Sequence, residues 1–64
     1  PYLTIGELPA SVRNSLPKPA QRIFMNAFNS AYHKYGEKRA FKIAWSAVKK
    51  SYRKSERSKK WVKK

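Results

Sequence analysis

The sequence predicts a small, mainly α domain built on a helical hairpin. Two stretches carry apolar residues at helical spacing, prolines stand where helices can begin, and one glycine separates the two stretches. At 64 residues the chain has room for one domain, spanning 1–64, with a single core and little stability in reserve.

Tyr2-Leu3-Thr4-Ile5 is a short β-prone run that Gly6 stops. Pro9 suits the first turn of a helix, where its missing N–H would be unpaired anyway, so a short helix is expected over about 9–15. Leu16-Pro17-Lys18-Pro19 breaks it. A second helix then runs over about 19–35, with Gly36 placed for a left-handed cap. Ala20, Ile23, Phe24, Ala27, Phe28, Ala31 and Tyr35 fall within an arc of about 140° and form its core face, whereas Arg22, Asn26, Asn29 and His33 point away. A third helix is expected over about 37–54, with Ala40, Phe41, Ile43, Ala44, Ala47, Val48 and Tyr52 on its apolar side. Alanines on both long helices let their axes approach closely. From Arg53 the basic segment 53–64 is mostly Lys, Arg and Ser, and its only apolar residues are Trp61-Val62, whose area is enough to dock. Pairing of Trp61-Val62 with Tyr2–Ile5 would join the two termini in a tiny two-stranded sheet.

Charge is the strongest functional signal. The formal net charge is +13; residues 34–64 hold thirteen cations against two acids, a net +11, whereas residues 1–33 hold only +2. Such a density repels itself across a screening length of about 8 Å, which points to a polyanionic partner: nucleic acid, an acidic protein or an anionic membrane surface. On the third helix Lys38, Lys42, Ser46, Lys49 and Arg53 share an arc of about 80°, which Arg39 and Lys50 widen to about 120° opposite the apolar face. Lys54, Arg57, Lys59 and Lys60 continue the basic set into the tail. A merely solvated face would mix signs, because like charges at i,i+4 cost helix stability. Arg39 and Arg53 suit bidentate phosphate contacts, and the lysines act as point charges.

Trp45 lies between the apolar and basic arcs, where an indole either completes the core or stacks on a base; core packing is favoured. Trp61, among Lys59, Lys60, Lys63 and Lys64, has the same two roles open to it.

Catalysis is not expected. His33 is the lone histidine and Glu7, Glu37 and Glu56 are the only acids, so neither a general acid–base pair nor a metal site has its residues; there is no cysteine and no glycine-rich phosphate loop. No cofactor is implied, and no stretch approaches the roughly 20 apolar residues of a membrane span. An intracellular location is expected, and the sequence leaves the oligomeric state open.

The series Leu8-Pro9, Val12, Leu16-Pro17, Ala20-Gln21, Ile23, Ala27-Phe28-Asn29-Ser30-Ala31-Tyr32 and Tyr35 resembles the ChaB family of small proteins. The likeness continues through Ala40, Lys42-Ile43-Ala44-Trp45, Ala47-Val48-Lys49, Tyr52, Lys54 and Trp61. It implies a compact three-helix fold with a small sheet near the termini, a docked Trp61, and the family label of cation transport regulator. Acidic members carry an Asp/Glu-rich insertion between the main helices and acids before the last Trp. Here a short Tyr35–Ala40 turn and a Lys/Arg tail stand instead, so a role leaning on those acids does not transfer. The basic character looks more like a viral or phage member associated with DNA, which would place it in the cytoplasm or in a host nucleus.

The expected function is therefore non-sequence-specific nucleic-acid binding through phosphate contacts from the third helix and tail, with DNA ahead of RNA. The alternative is a regulatory interaction module that binds an acidic protein, such as a cation-transport regulator. Adhesion to anionic lipid ranks last, because it needs exposed apolar side chains beside the lysines and the core consumes the apolar faces.

Overall fold

The computed structural model describes residues 1–64. A 3-10 turn at Ile5–Glu7 leads to helices α1 (Ala10–Ser15), α2 (Lys18–Tyr35) and α3 (Glu37–Ser51), followed by strands β1 (Tyr52–Lys54) and β2 (Trp61–Lys63). The antiparallel α2–α3 hairpin is the frame. Ala40, Ala44 and Val48 recur every four residues on α3 and are fully buried, as are Ala20 and Phe24 on α2, with Phe28 and Ala31 nearly so. Small residues at the crossing bring the axes together while Phe24 fills the space beside them, a burial worth about 2–3 kcal/mol for that ring.

Helix α1 closes one end of the hairpin. Leu8, Val12 and Leu16, again four apart, are buried against the core. The end of α1 is finished by a side chain from α2: the buried Gln21 amide donates to the Leu16 carbonyl at 2.8 Å and to the Arg13 carbonyl at 3.2 Å, two acceptors the short helix cannot satisfy itself.

Gly36 makes the α2–α3 corner alone. Its N–H donates to the Tyr32 carbonyl at the end of α2, and its carbonyl accepts from Ala40 N–H at the start of α3. With φ 82° and ψ 178° it lies in the extended positive-φ region open essentially to glycine, not in the left-handed helical well expected of a cap.

The small sheet forms with a different partner strand from the one expected. β2 pairs antiparallel with β1, in the register Tyr52↔Lys63, Arg53↔Val62, Lys54↔Trp61, and not with Tyr2–Ile5. The N-terminal run has already spent its backbone groups. Asn29 accepts Tyr2 N–H through Oδ1 at 2.9 Å and donates through Nδ2 to the Tyr2 carbonyl at 2.8 Å, and the Glu7 carboxylate accepts Leu3 N–H and Thr4 N–H. A hairpin across residues 55–60 also closes a far shorter loop than a pairing of the two termini would. Its turn is held by Ser55 N–H to the Lys60 carbonyl at 2.7 Å and Lys59 N–H to the Ser55 carbonyl at 2.8 Å, with Lys59 left-handed at φ 58°.

Helix α3 accordingly stops at Ser51, short of the expected residue 54. Tyr52 is extended at φ −130° and ψ 156°, and its N–H closes the last turn on the Val48 carbonyl. Continuing the helix would stack Lys49, Lys50, Arg53 and Lys54 at three- and four-residue spacing, a repulsive arrangement, whereas the strand sends Tyr52 into the core.

Aromatic rings run in contact from one terminus to the other. Tyr2 meets Phe28 at 4.9 Å between centroids, Phe28 meets Phe41 at 4.9 Å, Phe41 meets Phe24 at 6.0 Å, Phe24 meets Trp45 at 5.2 Å, and Trp45 meets Trp61 at 5.5 Å. This file lies along one seam between α2 and α3 and is covered by the N-terminal arm and the β hairpin.

Two measurements test these contacts. Gly36→Ala should lower stability by about 1–3 kcal/mol in urea titration, with a purely conformational cause, since an added Cβ would meet nothing within 4 Å. Burial pushes the Tyr2 phenol above its ordinary value, and the Glu37 carboxylate adds to the rise. A raised phenol favours folding below the unfolded value of about 10, and that contribution is lost as pH climbs through the folded value. The readout is the difference from Tyr2→Phe: above pH 10 the parent should lose stability relative to that variant, and parallel curves would refute the assignment.

Candidate cationic docking surface

The structure divides the expected basic set in two. Lys38, Arg39, Lys42, Ser46, Lys49 and Lys50 are all exposed on α3, on the side away from the buried Ala40–Ala44–Val48 line. Arg53 and Lys54 lie on β1, and Arg57, Lys59 and Lys60 lie in the hairpin loop. Arg53 thus leaves the helical ridge to which its spacing assigned it, because the helix ends before it. On the sheet it stands opposite Val62, so it projects from the face opposite the one carrying Tyr52 and Trp61.

The two groups differ electrostatically. The hairpin has its own counter-charge, since Glu56 shares shallow surface depressions with Arg53, Lys54, Arg57 and Lys59. Helix α3 has an acid only at its first residue, Glu37, where a carboxylate favours the helix N-terminus. From residue 38 to residue 55 the chain holds seven cations and no acid. Glu7 is occupied far away with the backbone of Leu3 and Thr4.

Both indoles are used in packing. Trp45 meets Phe24 edge-on, and Trp61 lies against Trp45, each half-buried. This is the packing role expected for Trp45 and the docked role implied for Trp61. His33 is exposed on the polar side of α2, and no three His, Asp or Glu side chains converge as metal ligands. No helix is long and apolar enough to cross a membrane.

One feature of the surface departs from the expectation that the core consumes every apolar side chain. Tyr35 is 51% exposed and Ile43 is 37% exposed, both on the seam opposite the aromatic file. Ile43 stands between two shallow depressions, one lined by Ala27, Ser30, Ala31, Lys34 and Tyr35, the other by Lys42, Ser46, Ala47 and Lys50. The sequence held a signal for this. Ile43 sits about 100° around the helix from Ala44, at the margin of the apolar arc.

Comparison with known proteins agrees with this architecture. The ChaB family profile matches residues 8–64. Proteins named "Putative cation transport regulator ChaB" from Escherichia coli (strain K12) and from Shigella flexneri are each 43% identical over 75 aligned residues, covering 100% of this chain and 97% of theirs. That alignment exceeds the 64 residues of this chain by 11, so these relatives carry residues that it lacks. The NMR solution structure of the putative cation transport regulator ChaB superposes with a TM-score of 0.90 at 43% identity, covering 100% of this chain and 99% of that one. These relatives are bacterial and lend no support to a viral or phage origin, to a host-nuclear location or to DNA binding. A profile match over nearly the whole chain, a full-length relative at 43% identity and a shared three-helix fold with its small sheet establish that the chain belongs to the ChaB family.

Proposed function

We propose that the chain is a regulatory interaction module of cation transport that binds an acidic protein partner through the cationic flank of α3. The full-length match to proteins named as cation transport regulators carries this reading. The surface chemistry supplies a means. Six exposed side chains, five of them cations, occupy one side of a helix that the core holds rigid, so the charges present a fixed array and not a flexible tail. In this reading the protein performs no catalysis and holds no cofactor. Its effect on transport would come from occupying an acidic surface on a transport protein.

Nucleic-acid binding is the second reading, favoured by the acid-free run from residue 38 to residue 55. It would engage phosphates through Lys38, Arg39, Lys42, Lys49 and Lys50, with the hairpin cations adding contacts. Five to seven phosphates would give a slope of log K against log salt of about −4 to −6.

Three experiments test them. Cells lacking the gene should show altered cation flux that the parent sequence restores and the double variant Lys42→Glu, Lys49→Glu does not. The same variant should weaken binding of polyglutamate by about tenfold or more while the melting temperature holds or rises, because repulsion on α3 is relieved. In gel shifts, unrelated duplexes should give no saturable complex at physiological salt. A saturable complex with the steep salt slope above, together with normal cation flux in the deletion, would put the nucleic-acid reading in place of the first.

A further inference from the structure

We infer that the open seam around Ile43 is the recognition groove of this module, and that its occupant is an acidic amphipathic helix of the partner protein. The inference rests on the acidic-partner reading and specifies where and how such a partner is held. The two seams of the α2–α3 hairpin are treated differently by the chain. One is filled with rings and covered by the N-terminal arm and the β hairpin, and the other is left open along the half-buried Ala27 and Ala47, with Ile43 exposed between two depressions. Small side chains at the edges of both helices leave space that a third helix can enter, and apolar side chains one turn apart on that helix would straddle Ile43, one in each depression.

Charge fixes which helix fits. Lys34 borders the first depression, and Lys42 and Lys50 border the second, so an apolar floor is edged by cations on both helices. A segment with carboxylates flanking its apolar stripe matches both parts at once. A second copy of this chain does not, because each copy carries +13. A nucleic-acid backbone would satisfy the rim and leave the floor without a counterpart.

The probe is a synthetic peptide of about 18 residues, long enough to hold a helix, with leucines one turn apart among glutamates. Its partner control replaces every leucine by serine at the same charge, and vesicles of phosphatidylglycerol provide a lipid arm. In an NMR titration the leucine peptide should saturate and shift the amides of Ala27, Ala31, Ile43 and Ala47, and the serine peptide should bind at least tenfold more weakly. Ile43→Lys gives opposite signs for the two explanations: added positive charge would tighten a purely electrostatic complex, whereas loss of the apolar floor should weaken binding by about tenfold. Ile43→Ala, which keeps a small apolar side chain and the fold, should weaken it severalfold at an unchanged melting temperature. Equal binding of the two peptides, or tighter binding by Ile43→Lys, overturns the groove and leaves the acidic-partner reading standing. Failure of both peptides to bind in dilute buffer removes both. Vesicles that shift these amides when the leucine peptide does not would assign the surface to a membrane and overturn the inference.

Discussion

The file of rings from Tyr2 through Phe28, Phe41, Phe24 and Trp45 to Trp61 is the contact on which the rest of the fold depends. A domain this small has few ways to fix its termini, and each ring pair adds about 0.5–1.5 kcal/mol beyond the area it buries. Because the file occupies one seam of the helical hairpin, both chain ends are drawn to that side. Tyr2 arrives with its backbone held by Asn29, and Trp61 arrives on a strand whose register sets it on the same sheet face as the buried Tyr52. The opposite seam stays open as a direct consequence, because the N-terminal arm and the β hairpin both lie on the other side.

The charge distribution follows from the same economy of acids. Three carboxylates serve sixteen cations, and at least two of the three have local structural work: Glu7 holds the N-terminal arm, and Glu37 opens α3. Nothing acidic remains for the exposed side of α3. Lys38 and Lys42 are the only cations of α3 at i,i+4, and the helix ends where adding Arg53 and Lys54 would close further repulsive pairs. Turning those two residues into a strand relieves the helix and supplies the pairing edge that Trp61 and Val62 need. Electrostatics and aromatic packing thus act on the same boundary, at Ser51–Tyr52.

Much of this was legible in the sequence because it depends on period alone. The core line of α2 through Phe24, Phe28 and Ala31, the corner at Gly36 and the solvent side of α3 from Lys38 to Lys50 are all set by helical spacing and one backbone-permissive residue. What was hidden depends on competition between distant groups. The strand partner of Trp61 turned on whether the Tyr2 backbone was free, and Asn29, 27 residues away, had claimed it. Helical spacing puts Arg53 on the α3 ridge, but its direction depends on where the helix stops, and that is decided by the pairing with β2. Helical spacing puts Ile43 in the core because an apolar arc records which residues prefer burial, not how many neighbours exist to bury them. Both termini went to the other seam, so the margin of the arc was left in solvent.

The longer relatives bear on where function resides. A TM-score of 0.90 shows that the residues present here suffice for the shared fold, although the aligned relatives extend over at least 11 further positions. In this chain Gly36 alone forms the α2–α3 corner, and Tyr35 beside it is half-exposed at the end of the open seam. A single-residue corner holds the two helices at a fixed separation with no loop over their junction. The groove beside Ile43 is then bounded by rigid elements on both sides, and a partner entering it meets an apolar floor and cationic rim whose spacing is set by the core itself.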